Sequence, residues 1–345
     1  MTAANNTVEK ITISLCMIVK NEERVLKRCL DSIADLMDEI IIVDTGSTDR
    51  TKEIAGQYTD KIYDFTWVDD FAAARNFAFS KASMEYIYSA DADEVVDEEN
   101  RERFRILKET MLPEIEIVQM KYANQLSFNT VYNYDEEYRP KLFRRLRTFE
   151  WQYPIHETVR LDPIVYDSDI VIIHMPENNH AGRDLANFCK QVNKGIRLPT
   201  HLHEMYAREL FVAGMDSDFI EAEKYFEDAS KDVNRSTKEF VQSCCVVARA
   251  ARLRGDSETF FKYALKVLSG EGCSEICCEM GDFYVQRRDY EEAAVWYYNA
   301  VYETASELSL EASTKRPLKG LIHVYEELGY PEQAESYRQD YEAVE

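Results

Sequence analysis

Residues 86–94 read Tyr-Ile-Tyr-Ser-Ala-Asp-Ala-Asp-Glu, and this stretch carries the strongest signal in the chain. An apolar run typical of a β-strand ends in Asp91 and Asp93, which are separated by one small residue. At the end of a strand this spacing turns both side chains the same way, because alternate residues share a face. Mg²⁺ prefers such carboxylate oxygens and typically completes its shell with phosphate oxygens of a substrate. The pattern indicates a divalent-cation site, although a solvated acidic turn has the same sequence.

Short apolar runs alternate with amphipathic stretches from Ile11 to about Ile173. This alternation is typical of βαβ units, which form a mostly parallel sheet with helices on both faces. Asn21, Asp44 and Asp91 follow predicted strands, and ligands of such sheets gather at the carboxyl ends of the strands. We therefore expect these three residues to face one crevice. The predicted strands are 11–19, 39–43, 61–65 and 85–89, and the predicted helices are 22–36, 49–58 and 71–81.

Beyond about Pro199 the strands vanish, and small and aromatic residues recur at a regular offset. The pattern matches a tetratricopeptide repeat, a helix–turn–helix unit of about 34 residues. It is clearest at Gly281, Tyr284, Ala293, Tyr297 and Ala300. Weaker copies lie around 248–267, 213–229 and 325–341, the last displaced by an insertion at 306–316. We expect residues 199–345 to form an all-α repeat domain with a concave face for a partner, or else an irregular helical bundle.

The composition restricts the classes of partner. The chain has 345 residues, with 64 acidic against 41 basic side chains and a net charge of -23, so its surface repels nucleic acid and anionic membranes. No apolar run approaches the ~20 residues that cross a bilayer, and residues 1–10 are polar, without the build of a signal peptide. We expect a flexible N-terminus over 1–10, no membrane span, no nucleic-acid partner, reduced cysteines and a cytoplasmic location.

Four segments together resemble the inverting nucleotide-sugar glycosyltransferases of family 2, which have the GT-A fold. They are Leu-Cys-Met-Ile-Val-Lys-Asn-Glu-Glu at 15–23, Val-Asp-Thr-Gly-Ser-Thr-Asp-Arg-Thr at 43–51, Ala-Arg-Asn-Phe-Ala at 74–78 and Asp-Ala-Asp at 91–93. The resemblance covers about 11–175 and implies a Rossmann-like α/β GT-A domain, a nucleotide-diphospho-sugar transferase, over 11–198. With tetratricopeptide-like repeats behind it, the chain is similar to bacterial enzymes that glycosylate peptides and proteins.

The resemblance implies a UDP-sugar donor, either UDP-glucose or UDP-N-acetylglucosamine. The candidate donor-binding residues are Val19, Asn21, Glu22, Asp44, Arg75 and Asp91. Backbone N–H groups at 20–22, before a helix, suit a nucleotide, unless Asn21 only caps that helix. Asp44 can accept a hydrogen bond from a ribose hydroxyl or a uracil N–H. The Arg75 guanidinium suits a phosphate, unless it pairs with Asp69 or Asp70.

Mn²⁺ or Mg²⁺ is the expected cofactor, and the candidate metal-binding residues are Asp91, Asp93 and His174. Asp93 is expected to ligate the cation that bridges the two donor phosphates, and Asp91 to lie near the ribose and the metal-bound waters. His174 closes the apolar run 170–173, where the family often places a further metal ligand. An ordinary interior or surface histidine is the alternative for His174.

Glu157, in Tyr-Pro-Ile-His-Glu-Thr at 153–158, is the candidate catalytic base. Family members carry an acidic base at the matching position, and an inverting transfer needs a carboxylate to take the acceptor proton. Glu157 could instead be a structural partner of Arg144 or Arg145. The rival candidates for the base are Asp135, Glu136 and Glu137.

These observations predict a metal-dependent inverting hexosyl- or N-acetylhexosaminyltransferase. Its expected acceptor is a polypeptide or a protein-linked glycan, and its repeats are expected to position that acceptor or to make a homo-oligomer. Two alternatives stay open: a non-catalytic repeat adaptor with a degenerate nucleotide-sugar domain, and a glycosyltransferase that acts on an envelope polysaccharide precursor.

Overall fold

The chain divides into two compact units, Met1–Asn179 and His180–Glu345. The structure is a computed structural model, and it describes residues 10–112, 114–123, 137–145, 151–152, 158–159, 164–175 and 181–344. None of the helices in these ranges is long and apolar enough to cross a membrane.

The first unit is built on an eight-stranded sheet and a separate pair of short strands. The strands are β1 (Ile13–Val19), β2 (Glu39–Asp44), β3 (Ile62–Asp64), β4 (Tyr86–Ala90), β5 (Glu94–Val95), β6 (Ile117–Ala123), β7 (Glu137–Arg144), β8 (Trp151–Gln152), β9 (Thr158–Val159) and β10 (Val165–His174). The order in the large sheet is β3-β2-β1-β4-β7-β6-β10-β5, and β8 pairs with β9.

The parallel sheet expected from the first half is confirmed for β1 to β4. β1 pairs in parallel with β2 and β4, and β2 pairs in parallel with β3. β7 then runs antiparallel between β4 and β6, and β5 runs antiparallel to β10, so the whole sheet is mixed. The carboxyl ends of the parallel strands therefore share an edge with the start of β7 and with β5.

Helices cover both faces of this sheet. They are α1 (Leu26–Ile33), α2 (Thr51–Ala55), α3 (Phe71–Lys81) and α4 (Glu98–Thr110), with a 3₁₀ turn at Ala34–Leu36. α1 and α4 contribute to one buried apolar cluster and α3 to a second, which the sheet separates. α3 begins where Asp70 caps it, since the carboxylate accepts a hydrogen bond from the N–H of Ala73 at 3.0 Å. α1 starts later than predicted, and α2 is shorter than predicted and ends at Ala55.

The second unit is helical throughout its described part. Its helices are α5 (Ala181–Asn193), α6 (Thr200–Ala213), α7 (Asp216–Ala229), α8 (Thr237–Leu253), α9 (Ser257–Leu268), α10 (Ser274–Val285), α11 (Tyr290–Tyr302), α12 (Lys315–Glu327) and α13 (Pro331–Ala343). From α7 onward neighbouring helices in the chain pack together, and the alternate helices α6, α8, α10 and α12 also contact one another. This is the packing of stacked helical hairpins, so the expected tetratricopeptide-like repeats are confirmed.

The repeat signature has a steric cause at Tyr297. A Cβ atom added at Gly281 would lie 2.5 Å from the Tyr297 ring, and one added at Gly320 would lie 2.6 Å from the same ring. The ring of α11 therefore lies against glycines of α10 and α12, where a larger residue would collide. Ala293 and Ala300, on the same helix as Tyr297, are fully buried.

The predicted insertion between the third and fourth hairpins is held by a buried carboxylate. Glu275 of α10 accepts hydrogen bonds from the backbone N–H groups of Glu307, Leu308 and Ser309. Leu308 is buried as well, so the insertion is part of the core of the repeat unit.

The division between the units lies earlier than the predicted boundary after Leu198. α5 packs against α6 and α7, and the ring of Phe188 stacks on Tyr206 with centroids 4.9 Å apart. Leu185 and Phe188 are buried. This helix therefore belongs to the repeat unit, because its apolar face is covered there.

Candidate active site

The carboxyl edge of the parallel strands gathers several of the residues singled out by the sequence. Val19, the last residue of β1, pairs with Asp44, the last residue of β2. β4 pairs with β1 through Ala90 and Met17, so Asp91 emerges at the same edge. Asp44 and Asp91 therefore lie at the same edge of the sheet.

Asp44 is almost completely buried, with 1% of its surface exposed. One carboxylate oxygen, Oδ2, accepts hydrogen bonds from the N–H groups of Gly46 at 3.1 Å and Ser47 at 3.0 Å, and lies 3.8 Å from Lys52 Nζ. The other oxygen, Oδ1, is shielded from solvent and has no hydrogen-bond partner among the described residues. A buried acceptor left unpaired is costly, so a ligand N–H or O–H that reached Oδ1 would gain a strong, charge-assisted hydrogen bond.

The loop after β1 is tied to the loop after β2. The N–H of Asn21 donates to Ser47 Oγ at 2.9 Å, and the N–H of Glu22 donates to Thr51 Oγ1 at 2.7 Å. In return the N–H of Thr48 donates to Asn21 Oδ1 at 2.8 Å. The N–H groups of Asn21 and Glu22, which the sequence suggested for a nucleotide, therefore donate to side chains of the loop after β2 and of α2. Asn21 does not cap α1, which begins further along the chain; with φ of 57° it joins the two loops instead.

Arg75 connects α3 to the end of β4. Its guanidinium donates to Ser89 Oγ and to Asp91 Oδ1, both at 2.9 Å. Partial burial raises the pKa of the Asp91 carboxyl, but the charge of Arg75, with two further cations nearby, holds that pKa well below its ordinary value. Asp91 is therefore an anion fixed against Arg75. The expected alternative partner Asp70 caps α3.

Asp93 and His174 are in direct contact. The Nε2 atom of His174 lies 3.1 Å from Oδ2 of Asp93, and the two side chains are 15% and 14% exposed. The antiparallel pairing of β5 with β10 brings them together, since His174 pairs with Glu94 and the N–H of Met175 donates to the Asp93 carbonyl at 2.9 Å. Both side chains reach solvent at the edge where Asp91 emerges.

This pair fits a divalent cation that is shared with a substrate. Within the described ranges, no cluster of three or more His, Cys, Asp and Glu side chains is arranged to hold a metal ion. Of the three predicted ligands, Asp93 and His174 come together, while Asp91 faces Arg75. One carboxylate and one imidazole leave several coordination positions for phosphate oxygens and water, which is how Mg²⁺ is usually bound at phosphate-transferring sites.

A buried ion pair that was not predicted from the sequence lies beside these residues. Lys141 of β7 pairs with Glu94, and their side chains are only 7% and 2% exposed. Burial raises the pKa of Glu94 to about 7, helped by the nearby carboxylate of Asp91 and opposed by the charge of Lys141. The available signal was the run 139–145, where basic residues interrupt an apolar strand.

Tyr122 of β6 lies at the centre of a row of side chains across three strands. Its ring centroid is 5.2 Å from that of His174 on β10 and 4.0 Å from the guanidinium carbon of Arg139 on β7. The Nζ atom of Lys141 lies 5.2 Å from the same centroid. An aromatic face attracts cations electrostatically, so Tyr122 holds Arg139 and Lys141 beside the carboxylates of Asp91, Asp93 and Glu94.

Three of the four candidate bases, Glu157, Asp135 and Glu136, lie outside the described residues. Glu137, the first residue of β7, forms an ion pair with Arg139.

The first unit is a mixed α/β sheet with helices on both faces and acidic residues at its carboxyl edge, and this is the GT-A-like architecture expected from the sequence. Residues 14–161, less than half of the chain, match the model of the family described as Glycosyl transferase family 2, so this part of the chain is similar to that family.

Relatives are similar to less than half of the chain. A TPR repeat-containing protein of Synechococcus elongatus is 36% identical over 149 residues, which are 43% of this chain and 35% of that protein. The SPbeta prophage-derived glycosyltransferase SunS of Bacillus subtilis is 32% identical over 168 residues, 46% of this chain and 36% of SunS. The chain thus spans little more than a third of the length of these relatives.

Solved structures give a weaker likeness. A complex of Mycobacterium tuberculosis glucosyl-3-phosphoglycerate synthase with Mn²⁺ and UDP-glucose has a TM-score of 0.40 at 15% identity, covering 55% of this chain and 80% of that one. TarS of S. aureus has a TM-score of 0.38 at 12% identity, covering 74% of this chain and 55% of that one.

Proposed function

We propose that the protein is a metal-dependent, inverting glycosyltransferase that takes a hexose or N-acetylhexosamine from a UDP-sugar. The observation that carries this proposal is the contact of Asp93 with His174 at the carboxyl edge of a family 2 domain, beside the Asp91–Arg75 ion pair. Such an arrangement suits a negatively charged leaving group whose charge must be neutralised.

The donor is proposed to lie along the strand ends with its nucleoside toward β2. Asp44 offers its unpaired oxygen to a uracil N–H or a ribose hydroxyl, beside Val19 at the end of β1. The loop that contains Asn21 and Glu22 braces the loop after Asp44, and so shapes this end of the site without donating its own N–H groups. Arg75, fixed by Ser89 and Asp91, presents a guanidinium between the nucleoside and the phosphates.

The phosphates are proposed to reach Asp93 and His174. A Mn²⁺ or Mg²⁺ ion bound there supplies Lewis-acid stabilisation of the departing UDP. His174 must be neutral at its metal-binding nitrogen, and Asp93 must be ionised. Glu157 remains the proposed base that takes the acceptor proton as the anomeric carbon is attacked from the opposite face.

The acceptor is proposed to be a polypeptide or a protein-linked glycan, bound by the helical repeats. Stacked helical hairpins present an extended surface that suits a chain-like partner. Self-association through the repeats and a cytoplasmic location, suggested by the sequence, remain proposals of the same standing.

The test is a thermal-shift screen of the full chain with UDP, UDP-glucose and UDP-N-acetylglucosamine, each with Mn²⁺ or with EDTA. A donor at about 100 times its Kd stabilises the folded state by roughly 2.7 kcal/mol, and we expect that shift only with Mn²⁺. Slow hydrolysis of the same donor without an acceptor should accompany it. A shift without hydrolysis would favour the non-catalytic adaptor, and the absence of any shift would refute donor binding. A donor-active protein that glycosylates lipid-linked glycans but no polypeptide would place the acceptor in envelope synthesis.

A further inference from the structure

The row formed by Arg139, Tyr122 and His174 is set by the register of three neighbouring strands. Tyr122 pairs with Glu137 across β6 and β7, so Arg139 is its diagonal neighbour two residues further along. Tyr122 also pairs with Ile172 across β6 and β10, which makes His174 the diagonal neighbour on the other side. Diagonal pairs of this kind are within reach of aromatic and long side chains.

Among the described residues, three cationic side chains contact Asp91, Glu94 or Tyr122, and they differ in how far they are exposed to solvent. Lys141 is 7% exposed and is committed to the buried Glu94. Arg75 is 12% exposed and is held by Asp91. Arg139 is 30% exposed, so its guanidinium is the most accessible of the three to a ligand.

We propose that Arg139 is a further donor-binding residue, which contacts the diphosphate of the nucleotide, and that Tyr122 positions it. The proposal rests on the proposed function, because it concerns the same site. The strand order β2-β1-β4-β7-β6-β10 puts Asp44 at one end of the strand edge and His174 at the other. β7 lies between β4 and β6, so Arg139 stands between Asp91 and the Asp93–His174 pair, where the phosphates are expected.

The chemistry of the row supports this assignment. A guanidinium matches two phosphate oxygens with parallel hydrogen bonds and remains charged at any relevant pH. The guanidinium of Arg139 lies over the Tyr122 ring, and its Nε atom donates to Glu137, so its position is restricted before a ligand arrives. Binding then costs less side-chain entropy than it would for a freely moving arginine. The Tyr122 ring also packs against His174, so one aromatic residue positions a donor-binding group and a metal-binding group together.

The test is calorimetry of the full-length protein with uridine, UMP and UDP, each in EDTA and in Mn²⁺. Arg139→Met should weaken UDP binding by about 10- to 100-fold, as expected for the loss of a charge-assisted hydrogen bond. Uridine affinity should change by less than about 2-fold, because uridine lacks the phosphates. Arg139→Lys keeps the charge but cannot form the two parallel hydrogen bonds of a guanidinium. Its affinity for UDP should therefore lie between those of the wild type and Arg139→Met.

Arg105→Met is the matched control. Arg105 is partly exposed on α4 and pairs with Glu98 and Glu102. Its replacement by methionine makes the same change in charge and in side-chain length as Arg139→Met. It should leave the affinity for all three ligands unchanged. Tyr122→Leu removes the ring over which the Arg139 guanidinium lies, so it should weaken UDP binding, by less than Arg139→Met does, and leave the affinity for uridine unchanged.

The outcomes separate this inference from the function on which it rests. If the wild type binds UDP and Arg139→Met, folded by circular dichroism, binds it equally well, Arg139 is not a phosphate ligand and the inference is wrong. Equal losses for uridine and UDP would also overturn it, because they would indicate general damage to the site. If the wild type binds neither ligand, the proposed donor itself is wrong.

Discussion

The Nε2 atom of His174 lies 3.1 Å from Oδ2 of Asp93, although the two residues are 81 positions apart in the chain. The contact depends on β5, a strand of two residues that pairs antiparallel with the end of β10. Because β5 follows Asp93 directly, any shift of its register would separate the two side chains. The proposed metal site is therefore a product of one short edge pairing.

Asp93→Asn should abolish Mn²⁺-dependent sugar transfer while leaving the fold intact. The amide keeps the shape of the side chain but removes the charge that a hard cation prefers. Turnover of UDP-sugar with Mn²⁺, together with circular dichroism melts, checks this. Asp31→Asn, at an exposed residue of α1 that pairs with Lys27, is the control and should turn over normally. Near-normal turnover of Asp93→Asn in EDTA-treated buffer would show that the metal assignment is wrong.

Asp44→Asn should weaken the binding of UDP and of uridine by about 1.5–3 kcal/mol each, the usual contribution of a hydrogen bond to a charged group. The asparagine carbonyl can still accept from Gly46 and Ser47, so the loop after β2 should stay folded. Calorimetry with both ligands measures the effect. Asp64→Asn is the matched control, because Asp64 pairs with the same Lys52 but is exposed. Unchanged affinity for uridine would make Asp44 a purely structural residue.

A chain cut after residue 179 should be soluble and should hydrolyse UDP-sugar without transferring to an acceptor. A chain cut after residue 198 should be less soluble than the shorter one, although it is longer. It keeps α5 but loses α6, so Phe188 and Leu185 lose the cover that Tyr206 and its neighbours provide. Light scattering and donor hydrolysis of both fragments test this. If the shorter fragment transferred sugar to the acceptor as well as the full chain does, the repeats would not be needed to bind the acceptor.

Stability should fall between pH 6.5 and 4 because of His203. This ring is fully buried, with its nitrogens 3.1 Å from the hydroxyls of Tyr225 and Ser243. Burial lowers its pKa from the ordinary 6.5 to about 4. In that window the unfolded chain binds the proton and the folded chain does not, so acid destabilises the fold by up to about 3 kcal/mol.

Denaturant unfolding of His203→Gln across this pH range is the measurement. The variant should be less stable at pH 7, because it loses hydrogen bonds, but its stability should decline less on acidification. His323→Gln, at an exposed histidine, should keep the wild-type profile. A decline of His203→Gln as steep as that of the wild type would assign the acid sensitivity to other groups.

Gly281→Ala should destabilise the repeat unit by about 1–3 kcal/mol, the usual cost of overpacking a core. The added Cβ would lie 2.5 Å from the Tyr297 ring, which has Gly320 on its other side and cannot move away. Gly270→Ala, whose Cβ would make an ordinary 3.5 Å contact, serves as the control. Thermal unfolding compares them, and equal melting temperatures would mean that Tyr297 can be repacked.

Much of the fold could be predicted because its signals are local. The alternation of apolar runs and helices located β1 to β4, and the small-and-aromatic spacing around Gly281 and Tyr297 located the third hairpin. Helix ends were less predictable: α1 begins after an irregular turn, since the residues before it are occupied by hydrogen bonds to the loop after β2. The sequence did not assign α5 to the repeat unit. An apolar helix face predicts that the helix is buried, but it does not predict which surface the helix packs against.

The candidate site, like the fold, could be predicted from the sequence only in part. The sequence alone determined which residues are candidates for the chemistry, since two aspartates one residue apart after an apolar strand form a local pattern, as does an aspartate that ends β2. Only the tertiary structure decided how they are used. It turned Asp91 toward Arg75, joined Asp93 to His174, and brought Arg139, Tyr122 and Lys141 into the same site. The physical reason is that these contacts depend on strand order and register, which are set by the packing of the whole sheet and by no local run of residues.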